Sequence, residues 1–323
     1  MQYRNFGKID FQVSALGFGC MRLPTADGNP VSGKIDIQEA GRMMRHAIDS
    51  GVNYFDTAYV YHQGQSERAL GEILKDGYRQ KVKLATKVPP WSLKKPEDFD
   101  RILNEQLRKL QTEQIDFLLL HSLSSDFWEP VILKLKIIER AEKAKKEGKI
   151  AHLGFSFHDE YKYFEEIVNG YDKWDFTQIQ YNYMDTEYQA GTKGLKLAAQ
   201  KGLGVVVMEP LLGGKLARQP KSMLDLYEKA ESAHNPAGLA LQWIWDQPEV
   251  SVVLSGMSTY EQVEDNLKWA YSSDKNLSGK EMALIDEIRK AYDERATIPC
   301  TGCSYCMPCP NEVDIPYNFK LFR

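Results

Sequence analysis

The sequence predicts an α/β protein, a (β/α)8 TIM barrel with a C-terminal helical, cysteine-rich extension. Three observations predict it. Short β-branched runs alternate with longer amphipathic ones about eight times, the pattern of parallel strands joined by crossover helices. The 323 residues suit one barrel of roughly 250 residues plus extensions. An open doubly wound sheet would want a Gly-x-Gly-x-x-Gly turn after its first strand, whereas Gly17-Phe18-Gly19 is followed by bulky residues.

The first strand is expected at Val13 to Gly17, with a helix from Ile37 to Asp49. Strand Asn53 to Asp56 precedes helix Ser66 to Leu74, and Val82 to Lys87 precedes Phe99 to Leu110. Strand Phe117 to His121 leads to a longer helix, Pro130 to Lys146; His152 to Ser156 leads to Tyr161 to Val168. The last three pairs are Thr177 to Tyr181 with Thr192 to Gln200, Val205 to Met208 with Pro236 to Trp245, and Val252 to Ser255 with Tyr260 to Trp269. Gly51, Gly148, Gly170 and Gly202 stand just past periodic segments, where a left-handed helix C-cap wants glycine. A ninth helix, Gly279 to Glu294, leads into a cysteine loop. No linker divides the chain, so the expected organisation is a barrel over 1–272 and a C-terminal helix with a cysteine-rich tail over 273–323.

A net charge of −4 with interspersed signs offers no basic face for nucleic acid. No apolar run approaches the roughly 20 residues of a membrane span, and no apolar leader is evident, so a cytoplasmic protein is expected.

Four of the five cysteines fall in Cys300-Thr-Gly-Cys303-Ser-Tyr-Cys306-Met-Pro-Cys309-Pro310. Two-residue gaps let a short loop present several thiolates to one cubane, and a trailing Pro turns the chain away. Zinc knuckles instead separate two Cys-x-x-Cys pairs by a long spacer, so the spacing favours a 4Fe-4S cluster over zinc. Only two residues precede the last Cys where the bacterial ferredoxin run has three, which leaves Cys309 or Cys20 as the fourth ligand. Cys20 also reads as a small buried apolar residue.

In such barrels chemistry gathers where strand C-termini release into loops. Asp56 with Tyr61 five residues on, Lys87 and His121 stand at successive strand ends. A lysine cation near a phenol is expected to lower the pKa of Tyr61, and Asp56 to hold Lys87. His121 would hydrogen-bond the oxygen of a carbonyl, where charge grows during reduction.

The chain resembles the aldo-keto reductase superfamily. The residues that carry the resemblance are Phe55-Asp56-Thr57-Ala58-Tyr59-Val60-Tyr61, Ala85-Thr86-Lys87, Leu118-Leu119-Leu120-His121, Gly154-Phe155-Ser156, Gln178-Ile179-Gln180-Tyr181-Asn182 and Met208-Glu209-Pro210-Leu211-Leu212-Gly213-Gly214. The cysteine tail and Gly19-Cys20-Met21-Arg22-Leu23-Pro24 resemble a subgroup with a ferredoxin-like C-terminal segment. The resemblance implies an NAD(P)H-dependent carbonyl reductase with Tyr61 as general acid, tuned by Lys87 and Asp56, and with His121 positioning the carbonyl. It places Ser156 and Gln180 at the nicotinamide carboxamide, Asp56 near its ribose and Met208 where a residue packs on the ring, and counts Gly19 and Cys20 among the cofactor-binding residues. Pro210, Leu211 and Gly213 would lie along the pyrophosphate, and Gly256, Ser258, Gln262, Asp265 and Asn266 at the adenosine end.

Phe157 follows Ser156 where many relatives have Asn, and Met208 stands where an aromatic often stacks on the ring. Gly256 and Gln262 replace the usual cations on the 2′-phosphate, so NADPH is expected on resemblance and NADH stays open. Tyr59, Trp91, Trp128 and Phe157 are expected to wall an apolar mouth. His62 reads as a surface loop histidine without a partner, with substrate contact as the alternative, Trp243 and Trp245 as packing, and His152 as a structural group.

The expected partner is a small-molecule carbonyl substrate. Alternative readings are a nicotinamide-sensing subunit, or an electron-transfer subunit docking a redox partner through an iron-sulfur tail. The sequence fixes no oligomeric state.

Overall fold

The computed structural model describes residues 1–295 and 306–322, in two compact units. The first comprises Met1–Arg218 and His234–Leu277. It opens with an antiparallel hairpin, β1 (Tyr3–Phe6) and β2 (Ile9–Ser14). Eight strands follow: β3 (Leu16–Gly19), β4 (Tyr54–Asp56), β5 (Lys83–Val88), β6 (Ile115–Leu123), β7 (Ile150–Phe157), β8 (Phe176–Gln180), β9 (Gly204–Met208) and β10 (Val252–Ser255). They form a closed barrel of parallel pairs in chain order, sealed where Val253, Leu254 and Ser255 register with Leu16, Gly17 and Phe18. Between the strands run α1 (Ile37–Asp49), α2 (Ser66–Ile73), α3 (Glu97–Leu110), α4 (Ile137–Lys146), α5 (Tyr161–Gly170) and α6 (Gly191–Gln200). The second unit, Gln219–Ala233 with Ser278–Arg323, holds α7 (Lys221–Lys229). The first unit resumes with α8 (Pro236–Trp245) and α9 (Tyr260–Ala270), and α10 (Gly279–Arg295) and α11 (Ile315–Phe322) belong to the second. No described helix is long and apolar enough to cross a membrane.

Alternate residues of each strand point into the barrel. The lower inward layer is apolar: Tyr54, Phe117, Phe176, Val206 and Val252 are buried with Phe6 of the hairpin. The Phe6 ring sits 4.8 Å from Phe117 and 5.8 Å from both Tyr54 and Phe176. The hairpin therefore plugs the N-terminal end of the barrel. Gly7 makes its tight turn at φ 55°, where an added Cβ would lie 2.3 Å from the Gly204 nitrogen.

Four expectations are corrected. The expected strand Val13 to Gly17 straddles two elements, the end of β2 and the start of β3. The hairpin, α7 and α11 were not anticipated. The expected helix Pro130 to Lys146 is broken: a π-turn covers Trp128–Leu133, and α4 starts only after Lys136, which adopts φ 53°. A continuous helix with Trp128 and Ile132 inward would bury Lys136 next. The break instead turns Ile137, Ala141 and Ala144 to the core. Last, Gly51, Gly148 and Gly202 do adopt positive φ past their helices, but Gly170 is the final residue of α5. A Cβ there would meet the Trp128 ring at 2.7 Å, so that glycine is a packing requirement.

Replacing the plug should be costly. Phe6→Ala is expected to destabilise the barrel by about 3–5 kcal/mol, read from the midpoint of urea unfolding. A loss below about 1 kcal/mol would mean that the hairpin is peripheral.

Candidate active site

The upper inward layer is polar and lies at the strand C-termini. Lys87, fully buried on β5, donates from Nζ to Asp56 Oδ1 at 2.5 Å and to the Thr57 carbonyl at 2.8 Å. The Tyr61 hydroxyl, in the turn after β4, lies 3.5 Å from the same Nζ. Behind β5, Gln106 donates to the Lys87 carbonyl at 3.0 Å and to Glu67 at 2.8 Å, which fixes the strand from the helix side. His121 is buried at the end of β6, with its ring 6.0 Å from that of Tyr61 in edge geometry. The β6–β7 register shifts between Leu120 and Leu123, and Ser122 adopts φ 50°. Such a bulge re-aims the side chain beside it. Ser156 Oγ accepts the Ser122 amide at 2.8 Å and braces the bulge.

Burial and the neighbouring charges together set the protonation states. Burial alone would lower the Lys87 pKa, but the Asp56 carboxylate and the Tyr61 phenol outweigh it and hold the amine as ammonium. Burial pushes the Tyr61 phenol above its ordinary value; Lys87 opposes this and Asp56 adds to it. The expected lowering of the phenol is thus corrected, because desolvation exceeds the attraction of the cation. Burial, with the Lys87 ammonium, drives His121 well below its ordinary value, so its ring is neutral.

The remaining expected residues fall on the same rim. Gly19 packs against β10, where a Cβ would stand 3.3 Å from the Ser255 carbonyl. Gln180 ends β8 and donates to Asp185 at 3.2 Å, while Met208 ends β9 and accepts from Gln178 at 3.4 Å. Pro210, Leu211 and Gly213 lie in a loop with left-handed backbone at Glu209, Leu212, Gly213 and Gly214. Gly256 follows β10. The Ser258 amide donates to Gln262 Oε1 at 2.8 Å, Asn266 donates to Ser255 at 2.7 Å, and Asn235 donates to both Asp265 oxygens.

The remaining expectations divide. Cys20 is fully buried with Sγ toward the Phe18 carbonyl, so it is enclosed as a small apolar residue and unavailable as a cluster ligand. Cys300 and Cys303 lie outside the described residues; Cys306 is exposed and Cys309 half-buried. Among the described residues no group of three or more His, Cys, Asp or Glu is placed to hold a metal. Of the four expected mouth aromatics, only Trp91, 40 % exposed and 5.3 Å from the His121 ring, sits beside the site. Trp128 packs against Trp174, Phe157 against Phe164, and Tyr59 donates to Glu105 of α3. His62 is not on the surface: it is buried, with both ring nitrogens bonded. Gln178, outside the expected site residues, is also buried on β8, with no partner for Oε1. Its place two residues before Gln180, on the same strand face, was the available signal.

The sequence matches the Aldo/keto reductase family over residues 15–290. The chain belongs to this family. It is 29% identical to the L-galactose dehydrogenase of Arabidopsis thaliana, covering 83% of this chain and 87% of the relative. It is 26% identical to a probable aldo-keto reductase 1 of Glycine max, over 81% and 82% of the two chains. Among solved structures, the holo form of the aldo-keto reductase AKR11C1 from Bacillus halodurans superposes with a TM-score of 0.72 at 29% identity, over 89% of this chain and 96% of that one. Membership makes this aldo/keto reductase an oxidoreductase on the (β/α)8 fold.

Two measurements test the electrostatics of the reductase barrel. Lys87→Met leaves the Asp56 carboxylate buried without its cation and should cost about 3–5 kcal/mol in urea unfolding. The double variant Asp56→Asn/Lys87→Met should recover part of that loss; an equal loss would mean that the pair is uncoupled. His121 should keep the ¹⁵N shifts of a neutral ring as pH falls through about 6.5. An imidazolium signal there would show the site to be wetter than its burial indicates.

Proposed function

We propose that this reductase transfers hydride from NAD(P)H to an aldehyde or ketone, with Tyr61 as the general acid. The observation that carries the reading is the Tyr61 hydroxyl 3.5 Å from a buried lysine that is itself bound to Asp56. Bound reduced nicotinamide supplies the hydride. Tyr61, held protonated by its surroundings, gives its proton to the carbonyl oxygen as charge grows there. Lys87 stabilises the phenolate left behind, and Asp56 keeps the ammonium in place. A neutral His121 donates its one N–H toward the same oxygen, which orients the carbonyl without adding a second cation. Trp91 offers an apolar wall for the substrate.

The rim suits a dinucleotide. Gln178 Oε1 is a buried acceptor without a protein partner and fits the carboxamide N–H groups of a nicotinamide. Gln180, proposed beside it, already donates to Asp185. Ser156 would contribute its hydroxyl proton while its oxygen holds the Ser122 amide. Gly213 and Gly214 leave the loop after β9 open to close backbone approach by phosphate, as no atom lies within 4 Å of an added Cβ at either. Gly256, Ser258, Gln262, Asp265 and Asn266 would flank the adenosine. NADPH is the proposed cofactor on family grounds, with NADH the alternative that a comparison of affinities decides.

For the tail we propose a 4Fe-4S cluster on Cys300, Cys303, Cys306 and Cys309, forming a C-terminal segment distinct from the barrel. The support is the spacing of the thiols, with Cys306 and Cys309 both free. Hydride carries two electrons and does not readily pass singly to a cluster without a flavin, so a structural role is favoured over electron transfer.

Tyr61→Phe should lower carbonyl reduction by roughly a hundredfold or more while nicotinamide binding persists. An active variant would place the proton donor elsewhere; tight binding without turnover by the unmodified protein would favour a sensor. For the tail, anaerobic purification should return about four irons and four sulfides per chain. Cys303→Ser should abolish the broad visible absorption, and unchanged iron in that variant would reject the ligand assignment.

A further inference from the structure

The turn that carries Tyr61 adopts a conformation its own residues resist. His62 and Gln63 lie at φ 50° and 55°, in the left-handed region that side-chain-bearing residues disfavour, and Gly64 follows at φ 81°. Such backbone persists only where its surroundings over-determine it. The His62 ring provides that constraint. It is 4 % exposed. The Leu23 amide donates to Nε2 at 3.1 Å, and Nδ1 lies 2.7 Å from the Ser32 carbonyl oxygen. An amide N–H only donates and a carbonyl only accepts, so Nδ1 carries the proton and Nε2 does not. The ring is therefore a neutral imidazole in one defined tautomer.

Both anchors belong to the long loop between β3 and α1. That loop is braced on its own side by Ser32 Oγ donating to Asp27 and accepting the Lys34 amide. It also backs directly onto the turn, since a Cβ on Gly33 would stand 3.3 Å from the His62 carbonyl oxygen. Arg22, next to Leu23, receives the Ser258 hydroxyl at its carbonyl at 2.7 Å. One imidazole thus joins the Tyr61 turn to the β3–α1 loop and, through one further residue, to the loop after β10.

We propose that His62 is a positioning residue that pins the Tyr61 turn to the β3–α1 loop and so sets where the phenol stands relative to Lys87 and to the carbonyl. The inference rests on the reading of Tyr61 as proton donor. His62 touches no reacting atom, because both of its nitrogens are engaged within the protein.

The full-length enzyme tests this with two variants. His62→Ala removes both anchors, whereas the amide of His62→Gln offers an acceptor for Leu23 and a donor for Ser32. Each is assayed well below its own melting temperature, with kcat and KM measured separately. His62→Ala should lower kcat by about tenfold to a hundredfold, with substrate KM and nicotinamide affinity changed less than about threefold, and His62→Gln should recover most of the loss. In ¹⁵N-histidine spectra the unmodified His62 should appear as the neutral Nδ1–H tautomer at neutral pH, and the Tyr61 ring resonances should move in His62→Ala. An unchanged kcat in His62→Ala, equal losses in both variants, the opposite tautomer, or an unmoved Tyr61 ring would each overturn the proposal. Absence of turnover in the unmodified enzyme would instead sink the reductase reading, and the two spectroscopic outcomes would still judge the pin.

Discussion

A lysine ammonium buried inside a parallel barrel is tolerable only because a carboxylate lies against it. Each charge alone would cost several kcal/mol to remove from water. Together, Lys87 and Asp56 make a local field in a region that the surrounding strands keep dry. The rest of the site follows from that field. It holds Lys87 charged, biases His121 toward its neutral form, and opposes the desolvation that keeps the Tyr61 proton in place. Burial outweighs the cation, and the phenol is a reluctant acid.

The barrel separates stability from chemistry along its axis. Aromatic rings from β1, β4, β6 and β8 fill the lower half, and the hairpin closes that end. The upper half gives its inward positions to Asp56, Lys87, His121, Ser156 and Gln178, of which Asp56 Oδ2, His121 Nδ1 and Gln178 Oε1 are buried without a hydrogen-bond partner. Several of the left-handed backbone positions lie in the loops at the same rim, others at helix ends such as Gln111 and Lys136. Left-handed backbone occurs at His62, Ser122, Glu209 and Leu212, each in a segment that aims a side chain or an amide at the mouth. Gln106, bonded to Glu67 and to the Lys87 carbonyl, supports β5 from the helix side. The contact with Lys87 is to its carbonyl, so the influence is on position.

Much of this was legible in the sequence because parallel barrels impose a simple rule: strands are short and apolar, helices are periodic, and the last inward residue of each strand meets solvent or ligand. The eight strand–helix units, the meeting of Asp56, Tyr61, Lys87 and His121 at one rim, and the packing roles of Trp243 and Trp245 followed from periodicity and order alone. The hairpin was hidden because Phe6, Ile9, Phe11 and Val13 alternate over so few residues that they merge with the following strand. The break at Lys136 was hidden because the local pattern is helical on both sides. Only the burial of Ile137 against the barrel shows that the two halves are out of register.

By itself, then, the sequence determined the fold, the family and the residues that meet at the rim, since these depend on patterning that each segment carries locally. Tertiary structure alone decided the states and supports of those residues. Whether a phenol's pKa rises or falls depends on the balance between burial and a neighbouring cation. Whether His62 is a surface ring or a doubly bonded pin depends on which distant loop covers it. Both are properties of atoms far apart in the chain and a few ångströms apart in space, and no local pattern encodes them.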